Sequence, residues 1–155
     1  FREQREKVLP RITAALNCAR GLANVDANKI AAIGYCFGGA CVLDLARFNA
    51  EVAGVVSFHG RLLAPENSPT NPLSSKVLIL HGFDDPLVPA DQVLNFTDEM
   101  TARQADWQIH MYGNTQHAFT NPTAHDDEMG LHYDAKADRR SWQSTCYFLT
   151  ELFDT

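Results

Sequence analysis

Apolar residues recur at steps of three and four along four parts of the chain, which is the spacing of one helix face. The first stripe comprises Val8, Ile12, Ala15, Leu16, Ala19 and Leu22. It predicts a helix that ends near Gly21. Further helices are predicted over residues 41–48, from Pro89 as first helical residue to about Arg103, and over 134–153. The buried faces expected for the last two are Val93, Leu94, Thr97 and Met100, and Trp142, Cys146, Leu149 and Phe153.

Three short apolar runs without alternation are typical of strands buried on both faces. They cover residues 29–35, 51–58 and 76–80, and a fourth strand is predicted over 106–112. A loop rich in proline and asparagine, 62–75, stands where a crossover helix would be expected. Strands that alternate with helices predict an α/β fold, a parallel sheet with flanking helices, in a single domain over residues 1–155. Binding groups should then gather at the carboxyl ends of the strands.

Composition narrows the classes of partner. The net charge is −6 with 13 lysines and arginines, which disfavours nucleic acids and anionic membranes because both call for a basic face. The longest apolar runs of this chain fall far short of the roughly 20 residues that span a bilayer. The four cysteines form no CxxC pair, so we expect free thiols in a cytoplasmic protein. The charged start without methionine or signal peptide suggests a processed, truncated or cloned fragment.

A glycine-flanked cysteine stands between a predicted strand and a predicted helix, in the sequence GYCFGG. This is the context of a nucleophile elbow, whose sharp turn calls for small residues at Gly34 and Gly38. The turn would place Cys36 at a helix N-terminus, where the dipole favours a thiolate and the amide of Phe37 can bind an oxyanion. The alternative is an ordinary glycine-rich turn with a buried cysteine.

Candidate partners for Cys36 follow the next two strands. Asp84 and Asp85 come after the third strand, and either can orient a histidine; an aspartate here can also be a turn residue or a helix cap. His117 lies in the loop after the last strand. The chain order nucleophile, acid, histidine is that of α/β-hydrolases and differs from that of other triad folds.

Three motifs, GYCFGG, HGFDDPLVP and QHAF, together resemble the dienelactone hydrolase family of the α/β-hydrolase superfamily. The likeness covers nearly the whole chain and corresponds to the family's C-terminal two-thirds. It implies a catalytic triad of Cys36, Asp85 and His117, because the family's acid lies four residues before the proline, here Pro89. SFHG resembles the family's site-lining turn, so His59 is expected to face the pocket; the alternative is a structural histidine.

Two departures from the family pattern have consequences. Members acting on dienelactone carry an arginine four residues after the histidine, where this chain has Asn121, which puts carboxylate recognition in doubt. The family's first strands have no counterpart here, since the first helix leads straight into the elbow strand. That strand would be an exposed edge, which predicts self-association through it or a rebuilt fold.

The resulting expectation is a hydrolase of esters or lactones that works through a thioester at Cys36 on a small-molecule substrate, without cofactor or metal. The polar group formed by His125, Asp126, Asp127, Glu128 and His132 is interpreted as a loop. Cys18, Cys41 and Cys146 are expected in the core. Two alternatives stay open: a catalytically incomplete family member that acts as an interaction module, and a thiol-redox protein using Cys36.

Overall fold

The computed structural model describes residues 5–154, apart from the side chain of Glu6. A 3₁₀ turn at Arg5–Lys7 precedes ten helices and strands within this range. In chain order these are α1 (Leu9–Arg20), β1 (Ala31–Tyr35), α2 (Phe37–Arg47), β2 (Gly54–Phe58), β3 (Lys76–Gly82), α3 (Ala90–Ala102), β4 (Trp107–Tyr112), β5 (His125–Asp126), β6 (Leu131–His132) and α4 (Ala135–Phe153). No helix among these residues is both long and apolar enough to cross a membrane.

The main sheet has the strand order β1-β2-β3-β4 and all its neighbouring strands are parallel. The predicted α/β architecture with a parallel sheet is therefore confirmed. Every residue of β2 is buried, as expected for an apolar run without alternation. Within the described residues β1 pairs with β2 alone, and it leaves Ile33 38% and Tyr35 45% exposed.

Helices cover both faces of this sheet. On one face the apolar residues of α1, α2 and α3 pack against Val55, Val77 and Ile79. On the other face, Val56, Phe58 and Leu78 pack against Phe148 of α4. The two layers bury the strands completely at the centre, so their carboxyl ends form a rigid edge on which loops are fixed.

The predicted buried face of α3 is partly wrong. Leu94 is 64% exposed, while Gln92 and Phe96 are buried beside the predicted Val93 and Met100. Gln92 is tolerated there because its side-chain Oε1 accepts a hydrogen bond from the backbone of Leu62 at 2.9 Å. The helix also begins one residue later than predicted, at Ala90, because Pro89 is its extended N-cap (φ −68°, ψ 166°).

The predicted face of α4 is wrong by one position. Trp142 and Cys146 are exposed, and the buried side chains are Ala137, Ser141, Thr145 and Phe148. The two hydroxyls can be buried because each donates to a carbonyl one turn earlier, at 2.8 and 3.0 Å. A sequence pattern that counts only apolar residues misses such a face.

The interpretation of the other cysteines as core residues also fails. Cys18 is exposed, as is Cys146, and Cys41 is half-buried. The buried residue of α1 is Leu16, and on α4 the neighbouring positions Ser141 and Thr145 are buried instead of Cys146.

Two buried arginines at the C-terminal ends of α2 and α3 hold the loop between β2 and β3. Arg47 is 1% exposed, and it donates to Leu62 O at 2.6 Å and to the carboxylate of Glu99 at 2.8 and 2.9 Å. Arg103 donates to Asn71 O at 2.9 Å. The long loop predicted in place of a crossover helix is a loop, and its backbone is fixed at Leu62 and at Asn71.

Candidate active site

The turn from β1 into α2 presents Cys36 as predicted for an elbow. Cys36 is the N-cap of α2 with φ 52° and ψ −115°, a backbone conformation that costs of the order of 1–3 kcal/mol for a residue with a side chain. A Cβ on Gly34 would lie 2.1 Å from Gly38 O, and one on Gly39 would lie 2.4 Å from Ser57 Oγ. Glycine is thus required at Gly34 and Gly39.

The requirement for a small residue at Gly38 is wrong. A Cβ built there meets nothing within 4 Å. The close contact is between Gly34 and the backbone carbonyl of Gly38. It therefore excludes a side chain at Gly34, on the strand, and not at Gly38, on the helix.

The structure brings Cys36, Asp85 and His117 together. His117 Nε2 lies 3.2 Å from Cys36 Sγ, and His117 Nδ1 lies 2.7 Å from Asp85 Oδ2. Asp85 and His117 are each 3% exposed, whereas Asp84 is exposed. Of the two aspartates, Asp85 is therefore the one within hydrogen-bond distance of the imidazole. Its other oxygen accepts a hydrogen bond from Leu87 N at 2.8 Å, which fixes the carboxylate.

A hairpin that the sequence analysis missed frames His117. The backbone of His117 donates to Gly130 O at 3.1 Å and accepts from His132 N at 3.0 Å, so both backbone polar groups of His117 are bonded to the β5–β6 hairpin. Gly130 has φ +64°, and a Cβ there would lie 2.4 Å from Pro86 Cγ. The polar segment interpreted as a loop is thus a small antiparallel hairpin. The signal for it was Gly130 between two polar runs, a pattern typical of hairpin turns.

Opposing influences set the charge of His117. Burial lowers its pKa, but the hydrogen bonds to Asp85 and Cys36 and the negative charges on both partners outweigh burial and raise the pKa to about 9. The imidazole is therefore protonated at neutral pH while both partners are in place. A proton held on His117 at this position is available to a leaving group.

Among the described residues, a smaller and a larger cavity adjoin the pair formed by Cys36 and His117. The smaller, of about 190 Å³, is lined by Cys36, Phe37, Ala40, Arg61, Leu87 and His117. The larger, of about 610 Å³, lies on the side of β1, and its lining includes Tyr35, His59, Asn121, Met129 and Asp138. Arg61, Leu87 and Met129 were not identified from sequence, because loop side chains carry no periodic signal.

The two predicted binding residues lie at these cavities. Phe37 is the first residue of α2, a position whose N–H has no acceptor within a helix, and it borders the smaller cavity. His59 faces the larger cavity, as expected, but is 3% exposed and bonded through both ring nitrogens to other residues. Their roles in binding stay predictions.

Asn121, which stands in place of the family's arginine, lines the larger cavity. Its Oδ1 accepts from the backbone and hydroxyl of Thr123 at 3.1 and 2.9 Å, which ties the amide to its own loop. Among residues 5–154 no three histidine, cysteine, aspartate or glutamate side chains converge as metal ligands.

Comparison with known proteins identifies relatives of this chain and of its fold. The chain is 41% identical to a dienelactone hydrolase-like promiscuous phosphotriesterase from metagenomic libraries, whose crystal structure it matches with a TM-score of 0.91 over 96% of this chain and 63% of that one. It is 39% identical to an uncharacterised protein of Caenorhabditis elegans over 95% of both chains. The α/β-hydrolase-like sheet expected from sequence is confirmed by the structural match.

A bacterial relative is named for its substrate. The chain is 30% identical to a probable 2-oxo-3-(5-oxofuran-2-ylidene)propanoate lactonase of Bradyrhizobium sp, over 73% of this chain and 49% of the relative. The chain thus spans about half the length of that protein. The model of the dienelactone hydrolase family matches residues 1–153. The chain therefore belongs to the dienelactone hydrolase family.

Proposed function

We propose that this chain hydrolyses esters or lactones through a Cys36–Asp85–His117 triad. One observation carries the proposal: Cys36 Sγ is 3.2 Å from His117 Nε2 while Asp85 holds the opposite ring nitrogen at 2.7 Å. Nucleophile, base and orienting acid within hydrogen-bond reach are the arrangement that activates a thiol for attack on a carbonyl.

The reaction would run in two halves. At neutral pH His117 already holds the proton that Cys36 has given up, so the thiolate sulfur bonds to the carbonyl carbon, and the carbonyl electrons move to the oxygen, which accepts a hydrogen bond from Phe37 N. When the C–O bond breaks, His117 returns its proton to the departing oxygen and a thioester remains. His117 then takes a proton from water, whose oxygen attacks the thioester; the C–S bond breaks and the acid is released.

The thioester stage removes the charge on sulfur that raises the pKa of His117. The imidazole then loses its proton more readily, which suits its role as the base for water. Because a thiolate is also a good leaving group, cysteine favours activated acyl groups such as enol-lactones over amides.

A carboxylate-bearing lactone is the substrate class that we favour. The Bradyrhizobium relative is named for a lactone that carries a propanoate group. In this chain Arg61 lines the smaller cavity together with Cys36, and its guanidinium can bind a carboxylate through two parallel hydrogen bonds. Arg61 would thereby supply the charge that Asn121 lacks.

Phosphotriesters are a second candidate substrate class. The structural relative at 41% identity is named as a promiscuous phosphotriesterase. The same thiolate would form an S–P bond with displacement of an aryloxide, which takes the proton of His117. Water would then have to cleave the S–P bond.

The test uses p-nitrophenyl acetate and an enol-lactone with the wild type and two variants. Cys36→Ala should reduce turnover to the uncatalysed rate, while Cys146→Ser, at an exposed cysteine, should retain full activity. Intact mass after rapid quenching should show one acyl group on the wild type and none on Cys36→Ala. Equal turnover by Cys36→Ala and wild type would refute the proposal, and inactivity of the wild type would favour the non-catalytic alternative.

We also propose that the chain self-associates through β1. This edge strand carries no charged side chain, so two copies can pair antiparallel about Ile33 without charge repulsion. Sedimentation of the wild type should show a dimer that dissociates on dilution, and Ile33→Lys should be monomeric at the same concentrations. A wild type that sediments as a monomer throughout would contradict this proposal.

A further inference from the structure

The ring of His59 connects the two segments that carry the nucleophile and the base. Its Nδ1 lies 3.2 Å from Cys36 N, and its Nε2 lies 2.9 Å from Thr120 Oγ1, three residues beyond His117. Its edge also contacts the rings of His117 and Phe119, with centroids 5.0 and 5.1 Å away. One buried side chain thus touches both sides of the reacting pair.

We propose that His59 is a positioning residue, which fixes the backbone of Cys36 relative to the loop of His117. This inference rests on the proposed function, and it assigns to His59 a role other than contact with substrate. The reason is that both polar atoms of the ring are already bonded to protein, so the ring offers a substrate only its carbon edge.

The hydrogen bonds determine the tautomer of this ring. Cys36 N is a donor, so Nδ1 must accept and the proton must reside on Nε2, which donates to the hydroxyl of Thr120. Burial and, to a lesser extent, the nearby charge of His117 lower the pKa of His59 to about 4, although the charge of Asp85 opposes them. His59 therefore stays neutral when His117 is charged.

The hydrogen bond from Cys36 N to the ring of His59 helps to hold the backbone of the elbow. Cys36 has a positive φ, and its N–H is shared between Phe58 O at 3.0 Å and the His59 ring. On the other side, Ala118 has φ 57° directly after His117, so two strained turns face one another across the ring. A shift of about 1 Å between reacting groups can lower the rate about 100-fold.

Each ring contact can be removed separately. His59→Asn keeps an acceptor near the place of Nδ1, and asparagine tolerates the φ of 39° at this position, but its amide does not reach Thr120. Thr120→Val removes the hydroxyl at nearly constant volume, and Thr120→Ser restores it. The matched control is His110→Asn, which breaks a 3.0 Å bond from a histidine to Ser144 on another part of the sheet.

The experiment measures kcat and KM for p-nitrophenyl acetate, the unfolding midpoint, and the rate of iodoacetamide alkylation at Cys36 by peptide mass spectrometry between pH 5 and 10. We expect His59→Asn and Thr120→Val to lower kcat about 10- to 100-fold with KM within about twofold, and to alter the pH profile of alkylation. Thr120→Ser should recover most of the rate, and His110→Asn should match the wild type in both readouts.

Three outcomes would overturn the inference. Unchanged kcat and alkylation in His59→Asn and Thr120→Val would show that the bridge is dispensable. A rise in KM alone would make His59 a substrate contact. If kcat and alkylation fall in proportion to the unfolding midpoint, and His110→Asn shows the same losses, the role of His59 would be merely structural. Alkylation needs no substrate, so this readout decides the inference even if the wild type hydrolyses no ester.

Discussion

The sulfur of Cys36 lies 3.2 Å from Nε2 of His117, although 81 residues separate the two in the chain. Their meeting follows from the parallel sheet. The segments after β1 and β4 both leave at the carboxyl ends of strands, and the segment after β3 adds Asp85 between them. The central strands β2 and β3 are buried on both faces, so the three side chains lie at the edge of a sheet that cannot easily shift.

Replacing the orienting acid should remove most of the activity. Asp85→Asn keeps the size of the side chain but offers an amide to Nδ1, which favours the wrong tautomer of His117. We expect kcat to fall by up to about 10⁴-fold. Asp84→Asn is the matched control at an exposed position and should retain wild-type kcat. Comparable losses in both variants would argue against the assignment of Asp85.

The positions of Cys36 and His117 could be predicted from the sequence, because each follows a predicted strand in the chain order of α/β-hydrolases. The choice of Asp85 over Asp84 came from the resemblance to the dienelactone hydrolase family. The predictions that failed depend on features that a pattern of apolar residues does not carry. Ser141 and Thr145 are buried because their hydroxyls bond to their own helix, and Leu94 is exposed because that side of α3 faces away from the sheet. The β5–β6 hairpin has strands of two residues, too short for any periodic pattern.

That hairpin gives a second prediction, at Gly130. Alanine there would have to adopt φ +64° with its Cβ 2.4 Å from Pro86 Cγ, so the hairpin must move away from the loop that carries Asp85. We expect Gly130→Ala to lower the free energy of unfolding by about 1–3 kcal/mol and to lower kcat. Urea denaturation and steady-state kinetics measure both. Gly113→Ala, where a Cβ meets nothing within 4 Å, should change neither.

The protonation of His117 can be measured directly. Its pKa of about 9 depends on Asp85 and on the negative charge of Cys36, both of which favour the charged imidazole against the effect of burial. We expect nitrogen NMR of the ring to show imidazolium at pH 7.5 and a transition near pH 9. Alkylation of Cys36 with iodoacetamide removes the thiolate, so the transition should move to lower pH. A transition that stays near 6.5 in both forms would contradict this account.

Acid should destabilise the folded chain through its buried histidines. Burial lowers the pKa of His59 to about 4, and it also lowers the pKa of His81. As the pH falls below 6.5 the unfolded chain binds protons that these rings in the folded chain exclude, so the free energy of unfolding decreases toward pH 4. Denaturation at several pH values should show this slope, and His59→Asn should have a smaller one. Equal slopes would mean that His59 is protonated in the folded state.

Arg61 should determine whether an anionic acyl group is preferred. It lines the smaller cavity beside Cys36 and Phe37, and a hydrogen bond to a charged group contributes about 1.5–3 kcal/mol. Removal of the guanidinium should therefore reduce the preference for a carboxylate-bearing lactone over a neutral ester of similar size by about 10- to 100-fold in kcat/KM. Arg61→Ala tests this, and Arg61→Lys, which keeps the charge without the planar fork, should retain part of the preference.

The preference of the wild type should also weaken as salt is added, because Arg61 is exposed to solvent. If Arg61→Ala discriminates between the two substrates as the wild type does, the carboxylate must be recognised elsewhere, and the substrate class would have to be argued from the larger cavity instead.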